Sequence, residues 1–203
     1  YDEGESTAVA YRRCGDFEQR ALADSGFAAQ DEDGAVVRHP HVLAVHGTGY
    51  HDDRAGIWTD WIDGETLSAR IERDGAMAGE PLLRLARDLA GALRAVHEAG
   101  LVHGDVKASN TMLDRDGNAL LMDFGAGFER NGEATRLTTG TPRYLAPEVA
   151  RGEPATTAVD LYALGVLLHR AATGDYPEAG RVSATIAPRA LRALFATLLD
   201  DDP

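Results

Sequence analysis

Residues 103–125 read HGDVKASNTMLDRDGNALLMDFG, and the rest of the chain is organised around them. Apolar residues flank Asp116-Gly117, a dipeptide that suits the positive φ angles of a two-residue turn, so the pattern predicts a β-hairpin. This hairpin would bring three polar side chains to one end: Asp105, Asn110 and Asp123. Amide and carboxylate oxygens are ligands that Mg²⁺ prefers when phosphate and water complete its shell. With Asp105 left to accept a proton, the pattern predicts phosphoryl transfer.

Four motifs, in this order along the chain, resemble those of the protein kinases, in particular the bacterial serine/threonine type. HGDVKASN (103–110) is similar to the catalytic loop HRDLKxxN, and DFG (123–125) follows at the expected distance. GTPRYLAPE (140–148) matches the end of a kinase activation segment, and DLYALGVLL (160–168) resembles the buried helix after it. An ordered set of four motifs is far more specific than a lone DFG.

The resemblance implies transfer of the γ-phosphate of ATP to a serine or threonine hydroxyl of a protein substrate. Asp105 would orient and deprotonate the hydroxyl, and Lys107 would neutralise charge on the γ-phosphate. Thr141 would contact both of these side chains. Asn110 and Asp123 would hold Mg²⁺ across the phosphates.

The same resemblance implies a set of nucleotide-binding residues. VAYR (9–12) is similar to the strand motif VAIK, which puts Ala10 against the adenine and Arg12 where a phosphate-binding lysine is expected. A planar guanidinium differs in shape from a compact ammonium, and a solvated arginine at the end of an edge strand is the alternative for Arg12. The remaining expected contacts are Thr59 as gatekeeper, the backbone of Asp60 and Ile62, Glu65 near the ribose, and Met112.

The carboxylate partner of Arg12 has three candidates. Glu18 lies in a helical pattern but only six residues past Arg12. Asp31 and Glu32 fit the family spacing better, although the Asp and Gly around them weaken a helix prediction. Glu32 is the preferred partner of Arg12. For each of the three residues, the alternative is an ordinary acidic side chain exposed to solvent.

The segment 38–53 contains four histidines, at positions 39, 41, 46 and 51, whose spacing matches no metal-ligand pattern. HPHVL (39–43) is instead similar to the HPNIV of kinases, which leads into a strand. A buried strand is then predicted over residues 57–59, followed by a connector that breaks at Gly64. Simple hydrophobic packing is expected for Trp61.

The second part of the chain is predicted to be mainly helical. Apolar residues spaced three or four apart predict a core-facing helix over residues 81–98, with Pro81 in its first turn and Gly100 at its end. A buried helix is predicted over residues 160–172, and an amphipathic one over residues 189–199. Because an unpaired buried carboxylate is costly, Asp160 should accept hydrogen bonds from backbone N–H groups of the catalytic loop.

These expectations define an α+β, two-lobed protein-kinase-like fold. Residues 1–63 would form part of a small β-rich N-terminal lobe, and residues 64–203 a mainly helical C-terminal lobe without its last helix. His103 is expected to hold the catalytic loop by packing and backbone hydrogen bonds. No partner can be assigned to Glu148 from the sequence.

Gly104 stands where many kinases have the Arg of HRD. In those enzymes a phosphorylated activation-segment residue neutralises this cation and orders the segment. Because glycine supplies no such cation, activity is expected not to require phosphorylation of the activation-segment hydroxyls at Thr135, Thr138 and Thr139.

Composition limits the partners and the compartment. The 203 residues include 20 basic and 33 acidic ones, a formal net charge of −13, which disfavours nucleic acid and anionic membranes as partners. A single cysteine rules out an internal disulfide and fits a reducing compartment. With no apolar stretch of membrane-spanning length, the chain is expected to be soluble and cytoplasmic, and its oligomeric state is not predicted.

Two other functions remain open. A pseudokinase or scaffold, which keeps the fold without turnover, would explain Arg12 and the lack of a glycine-rich loop in these residues. HGD followed by a later Asp-containing turn is also the pattern of small-molecule phosphotransferases of the aminoglycoside-kinase type. GTPRY and APE argue against the latter, because those enzymes lack this activation segment.

Overall fold

The computed structural model describes residues 7–11, 37–51, 54–123, 128–129, 142–178, 182–183, 186 and 189–200. Three predicted site residues lie outside these ranges: Arg12, Glu32 and Thr141. The other two candidate acids, Glu18 and Asp31, and the three activation-segment threonines also lie outside them.

The described residues form short strands and longer helices. The strands are β1 (Thr7–Tyr11), β2 (Val45–His51), β3 (Arg54–Asp60), β4 (Gly64–Thr66), β5 (Leu101–Val102), β6 (Thr111–Asp114), β7 (Ala119–Leu121) and β8 (Phe128–Glu129). The α-helices are α1 (Leu67–Asp74), α2 (Gly79–Glu98), α3 (Pro147–Ala150), α4 (Ala158–Thr173) and α5 (Arg189–Leu198). Two 3₁₀ turns cover Ala108–Asn110 and Pro142–Tyr144.

The first part of the chain forms an antiparallel sheet with the strand order β1-β3-β2. The predicted strand over residues 57–59 lies inside β3, where Ala10 of β1 is opposite Ile57. The second part forms a separate sheet with the order β4-β6-β7. A β-rich first part followed by a mainly helical second part confirms the predicted α+β class, whereas the boundary at residues 63 and 64 stays a prediction.

The connector after β3 covers residues 61–63 and ends at Gly64, which begins β4 and pairs with Asp114 of β6. A Cβ atom at Gly64 would lie 2.0 Å from the backbone oxygen of Leu113, so only glycine permits this close strand pairing. The glycine therefore marks a close backbone approach, which the sequence pattern alone does not distinguish from a turn.

The hairpin of β6 and β7 is present, but the predicted two-residue turn is wrong. The amide of Gly117 donates to the carbonyl of Asp114 at 3.0 Å, and the amide of Asp114 donates to the carbonyl of Asn118 at 3.0 Å. The loop thus has three residues, with the left-handed conformation at Gly117 (φ 79°). The Asp114 carboxylate favours this form by accepting bonds from the amides of Asp116 at 2.9 Å and Asn118 at 2.8 Å.

The helix predicted over residues 81–98 is confirmed as α2. Its five predicted core residues are all buried: Leu82, Leu85, Leu89, Leu93 and Val96. Pro81 lies in the first turn, and Gly100 (φ 79°) follows the last turn and donates to the carbonyl of His97 at 3.0 Å. This helix packs against β7 and α4, and so forms one wall of the core below the catalytic loop.

Helix α1 was not predicted. Its signal is present in the sequence, because the hydroxyl of Thr66 caps the helix by accepting a bond from the amide of Ala69 at 3.2 Å. The helix has only eight residues and buries only Leu67 and Ile71, which is too short a pattern for periodicity to detect.

The last two predicted helices are confirmed as α4 and α5. Helix α4 is buried on most sides and ends at Gly174 (φ 85°). At Gly165 a Cβ atom would lie 2.8 Å from Cβ of Leu198, so a glycine lets α5 pack closely on α4. The simple hydrophobic packing expected for Trp61 is wrong, because 63% of its surface is exposed.

Candidate active site

The catalytic loop is anchored from below by a buried carboxylate. Asp160, in the first turn of α4 and only 1% exposed, accepts bonds from the amides of His103 at 2.9 Å and Gly104 at 2.8 Å. Nε2 of His97, at the end of α2, lies 2.8 Å from the same carboxylate. The predicted pairing of Asp160 with backbone N–H groups is confirmed, and these bonds offset the cost of burying its charge.

His103 is fully buried beneath the loop, and its Nδ1 lies 3.3 Å from the amide nitrogen of Asp105. Burial lowers the pKa of His103, although the nearby charges of Asp160 and Asp105 oppose the shift. A neutral buried ring of this kind packs and positions the backbone, which agrees with the contacts expected from the sequence.

Three predicted site residues come into direct contact above this anchor. Nζ of Lys107 lies 2.5 Å from Oδ2 of Asp105, and Nδ2 of Asn110 donates to the same oxygen at 2.9 Å. The carboxamide also donates to the carbonyl of Asp105 at 3.0 Å. Because these donors converge on Oδ2, they orient the carboxylate and leave its Oδ1 as the second acceptor.

The local sequence explains why these side chains converge. A 3₁₀ turn follows Lys107, whose carbonyl accepts bonds from the amide of Asn110 at 3.0 Å and from the hydroxyl of Thr111 at 3.1 Å. The turn reverses the chain, so that the Asn110 side chain returns toward Asp105 while its backbone enters β6. From the other side, the hydroxyl of Tyr144 lies 3.4 Å from the amide nitrogen of Ala108.

Asp123 follows β7 and is brought next to Asn110 by a bond from the amide of Met122 to the carbonyl of Asn110, at 2.9 Å. Within the described ranges, Asp123 is the one non-glycine residue with a positive φ, at 66°. Backbone in this region costs free energy for residues with a side chain, and such residues concentrate at functional sites.

The donor set of these residues fits a magnesium ion. Both hydrogen bonds that the Asn110 carboxamide makes to Asp105 use its nitrogen and leave its oxygen as a possible ligand, and Asp123 adds a carboxylate. Among the residues that the structure describes, no three or more His, Cys, Asp or Glu side chains gather as a metal site. Mg²⁺ bound with phosphates needs only one or two protein carboxylates, which is the number this end of the hairpin supplies.

The expected nucleotide contacts that the structure describes lie in β1, β3, the connector after β3, β4 and β6. Thr59 is buried in β3, and its hydroxyl donates to the carbonyl of Asp60 at 3.2 Å. Ile62 is half-buried in the connector, and Met112 is half-buried in β6 opposite Leu120. Glu65, expected near the ribose, forms an ion pair with Arg73 of α1. None of these contacts with a nucleotide is tested, and all stay predictions.

Two residues that position β7 were missed at the level of sequence. Asp88 of α2 accepts a bond from the amide of Ala119 at 3.1 Å, and Nδ1 of His41 lies 2.9 Å from the carbonyl of the same residue. Nε2 of His41 and Oδ1 of Asp88 are 3.4 Å apart. One feature of the sequence could have indicated the role of Asp88. It is a charged residue next to Leu89 within the apolar, buried face of α2.

Comparison with known proteins defines the class. A model of the protein kinase domain matches residues 34–200 of the chain. This match covers well over half of the sequence, so the chain belongs to the protein kinase family.

The more similar relatives are named as bacterial serine/threonine kinases. The serine/threonine-protein kinase PknB of Mycobacterium leprae is 31% identical over 175 residues, 82% of this chain and 28% of the relative. The serine/threonine-protein kinase PkaB of Streptomyces coelicolor is 37% identical over 154 residues, 70% of this chain and 37% of the relative. PrkC of Bacillus subtilis is 30% identical over 170 residues, 82% of this chain and 26% of the relative.

The chain thus spans between about a quarter and somewhat more than a third of these relatives' lengths. In the described ranges, no helix has the length and apolar character needed to cross a membrane.

Proposed function

We propose that the protein transfers the γ-phosphate of ATP to a serine or threonine hydroxyl of a protein substrate. The observation that carries the proposal is the contact set of Asp105, whose carboxylate is oriented by Lys107 and Asn110. This set stands on a loop that Asp160 anchors through two backbone bonds. Membership of the protein kinase family and the names of the relatives support the same reaction.

In this proposal Asp105 accepts the proton of the attacking hydroxyl and holds that hydroxyl in line with the phosphate. Lys107 forms an ion pair with Asp105, with about a fifth of its side chain exposed. Its ammonium group can therefore turn toward the transferring phosphoryl group and neutralise charge there without leaving the site.

ATP would supply the phosphoryl group, and Mg²⁺ would neutralise charge on the phosphates. Asn110 and Asp123 would hold the ion, because the bonds from the Asn110 carboxamide to Asp105 use its nitrogen, and the bond from the Met122 amide to the Asn110 carbonyl brings the Asp123 backbone next to Asn110. The proposed nucleotide contacts are Ala10, Arg12, Glu32, Thr59, Asp60, Ile62, Glu65 and Met112. Thr141 would contact Asp105 and Lys107.

The first test is the variant Asp105→Asn. It should lower phosphate incorporation into a serine/threonine protein substrate by about 10²- to 10⁴-fold, the usual contribution of a general base. The matched control is Asp116→Asn, at an exposed position of the hairpin turn, which should keep the rate of the parent. Equal incorporation by the parent and Asp105→Asn would contradict the proposed role.

Two further measurements on the same variants distinguish a protein kinase from a pseudokinase and from a small-molecule phosphotransferase. A pseudokinase would bind Mg·ATP, measured by calorimetry, without transfer that depends on Asp105. A small-molecule phosphotransferase would phosphorylate an aminoglycoside and not a protein; the names of the relatives argue against it. A cytoplasmic location and the absence of nucleic-acid partners stay predictions from composition.

A further inference from the structure

Two arginines share one tyrosine ring beside the catalytic loop. The guanidinium carbon of Arg143 lies 4.8 Å from the ring centroid of Tyr176, and that of Arg170 lies 4.9 Å from it. Each contact is a cation–π interaction, which places a guanidinium group over an aromatic face. The two cations therefore hold fixed positions near each other, in a chain whose formal net charge is −13.

This pair of cations is joined to the catalytic loop by aromatic contacts. Tyr176 packs edge-on against Tyr144, with ring centroids 5.6 Å apart. The hydroxyl of Tyr144 reaches the amide of Ala108 at 3.4 Å, and Ala108 directly follows Lys107. These contacts connect Arg143, through the two tyrosines, to the loop that carries Asp105 and Lys107.

The two arginines differ in what neutralises them. Arg170, whose side chain is 13% exposed, lies 3.6 Å from Glu72 and 3.3 Å from the hydroxyl of Ser68. Arg143 is exposed, and the ion pairs that the structure describes include none for it. A guanidinium group that is held in place, open to solvent and without an acidic partner among the described residues can bind a carboxylate from outside.

We propose that Arg143 determines substrate specificity by binding an acidic side chain of the protein substrate near the acceptor hydroxyl. Arg170 adds to the positive potential, and Tyr176 holds both guanidinium groups. The proposal rests on the proposed kinase function, which it refines from any protein hydroxyl to hydroxyls with a nearby Asp or Glu. Such local complementarity selects partners even where the whole chain is acidic.

The test uses serine peptides in which one Asp is moved through the positions on either side of the acceptor, with Asn and Lys peptides as references. The parent should prefer Asp over Asn at one or two positions by about two- to fivefold in kcat/KM, the range expected for an exposed ion pair. The gain should appear in KM and not in kcat, and it should shrink in 0.5 M salt, where the Debye length is only about 4 Å.

Arg143→Glu should reverse the preference, so that the Lys peptide exceeds the Asn peptide at the same position. Arg189→Glu is the matched control, since it is exposed, makes the same charge change and begins α5; it should keep the preference for Asp. Tyr176→Leu should weaken the preference without reversing it, because the guanidinium groups lose their platform.

Peptide affinity, measured by fluorescence anisotropy with the same variants, separates failure of this inference from failure of the proposed function. If no peptide is phosphorylated, the kinase proposal fails, and binding alone decides the role of Arg143. Equal preferences in the parent and in Arg143→Glu, by rate or by binding, would overturn the inference. A phosphoserine peptide preferred over the Asp peptide by tenfold or more would overturn the assignment to carboxylates.

Discussion

Asp160 is the residue through which the core determines the shape of the catalytic loop. It accepts the two backbone bonds at His103 and Gly104 and also contacts His97. Because a carboxylate accepts several bonds at once, one side chain satisfies donors from the loop and from the end of α2. The position of Asp105 in its loop therefore depends on the Asp160 carboxylate, which lies beneath the loop in α4.

Replacing Asp160 by Ala should leave those buried donors without an acceptor. We expect the free energy of unfolding to fall by about 2–4 kcal/mol, because each unsatisfied buried donor costs about 1–3 kcal/mol. Phosphate transfer should fall as well. Urea unfolding measures the first effect, with Asp175→Ala, at an exposed position after α4, as a control expected to stay within about 0.5 kcal/mol. Similar losses in both variants would contradict this role.

Asp114 gives a prediction about acid sensitivity. Burial acts to raise the pKa of its carboxyl, but hydrogen bonds from Asn118, Asp116 and Gly117 outweigh burial and lower the pKa below its ordinary value of 3.8. A carboxyl group with a lowered folded-state pKa contributes stability above pH 3.8, and this contribution is lost as the pH falls through the folded-state value.

The variant Asp114→Asn should therefore be less stable than the parent at pH 7, by about 1 kcal/mol for weakened hydrogen bonds, and the difference should narrow below pH 3.8. Denaturant unfolding of both proteins at pH 7, 5, 4 and 3.5 measures this difference in the free energy of unfolding. Asp116→Asn, in the same turn but exposed, should show no such narrowing. A difference independent of pH would mean that turn geometry, and not charge, causes the loss.

At the scale of elements, close packing depends on glycines whose roles differ. Gly165 lies where α4 meets α5, and a Cβ atom there would be 2.8 Å from Cβ of Leu198. Gly91 lies within α2, where a Cβ atom would be 3.2 Å from Cε1 of His39. The first neighbour is rigidly attached to a helix backbone, whereas the second is the end of a side chain that can rotate away.

Alanine at both glycines should separate packing from helix propensity. Both changes gain up to about 1 kcal/mol of propensity. Gly165→Ala should nevertheless destabilise the protein, because forcing a methyl group into a close-packed interface costs about 1–3 kcal/mol. Gly91→Ala should be neutral or stabilising in thermal unfolding. Stabilisation by both substitutions would show that α4 and α5 separate more easily than their contact indicates.

At the scale of the whole molecule, Gly104 bears on regulation. Its backbone has a positive φ of 74°, which glycine adopts without strain, and its amide is bound to Asp160. The position supplies no guanidinium group beside Asp105 that a phosphate in the activation segment could neutralise. An active arrangement of the loop therefore need not wait for phosphorylation.

Joint replacement of Thr135, Thr138 and Thr139 by Ala should leave the rate of phosphate transfer within tenfold of the parent. The same should hold for the parent before and after phosphatase treatment, and Thr141 is left unchanged because of its separate expected contacts. A drop of tenfold or more, equivalent to about 1.4 kcal/mol in the barrier, would show that another cation such as Arg130 or Arg136 orders the segment.

Much of the fold was predictable because the relevant patterns are local. Spacing of apolar residues and terminal glycines predicted α2, α4 and α5, and the catalytic loop and hairpin were recognisable by residue type and order. The pairing of Asp160 followed from the cost of an unpaired buried charge. The contact of Asp105 with Lys107 and Asn110 also follows from a short segment that can fold back in only a few ways.

The tertiary structure decided what depends on residues far apart in the chain. Gly64 pairs with Asp114, and Asp88 and His41 both contact the backbone of Ala119. The spacing of apolar residues along one helix or strand does not indicate such long-range pairs. The sequence by itself thus determined the class of protein and the chemical groups of its site. Which groups meet, and that Arg143 stands over Tyr176, depended on packing between elements, because burial and charge pairing are properties of neighbours in space and not in sequence.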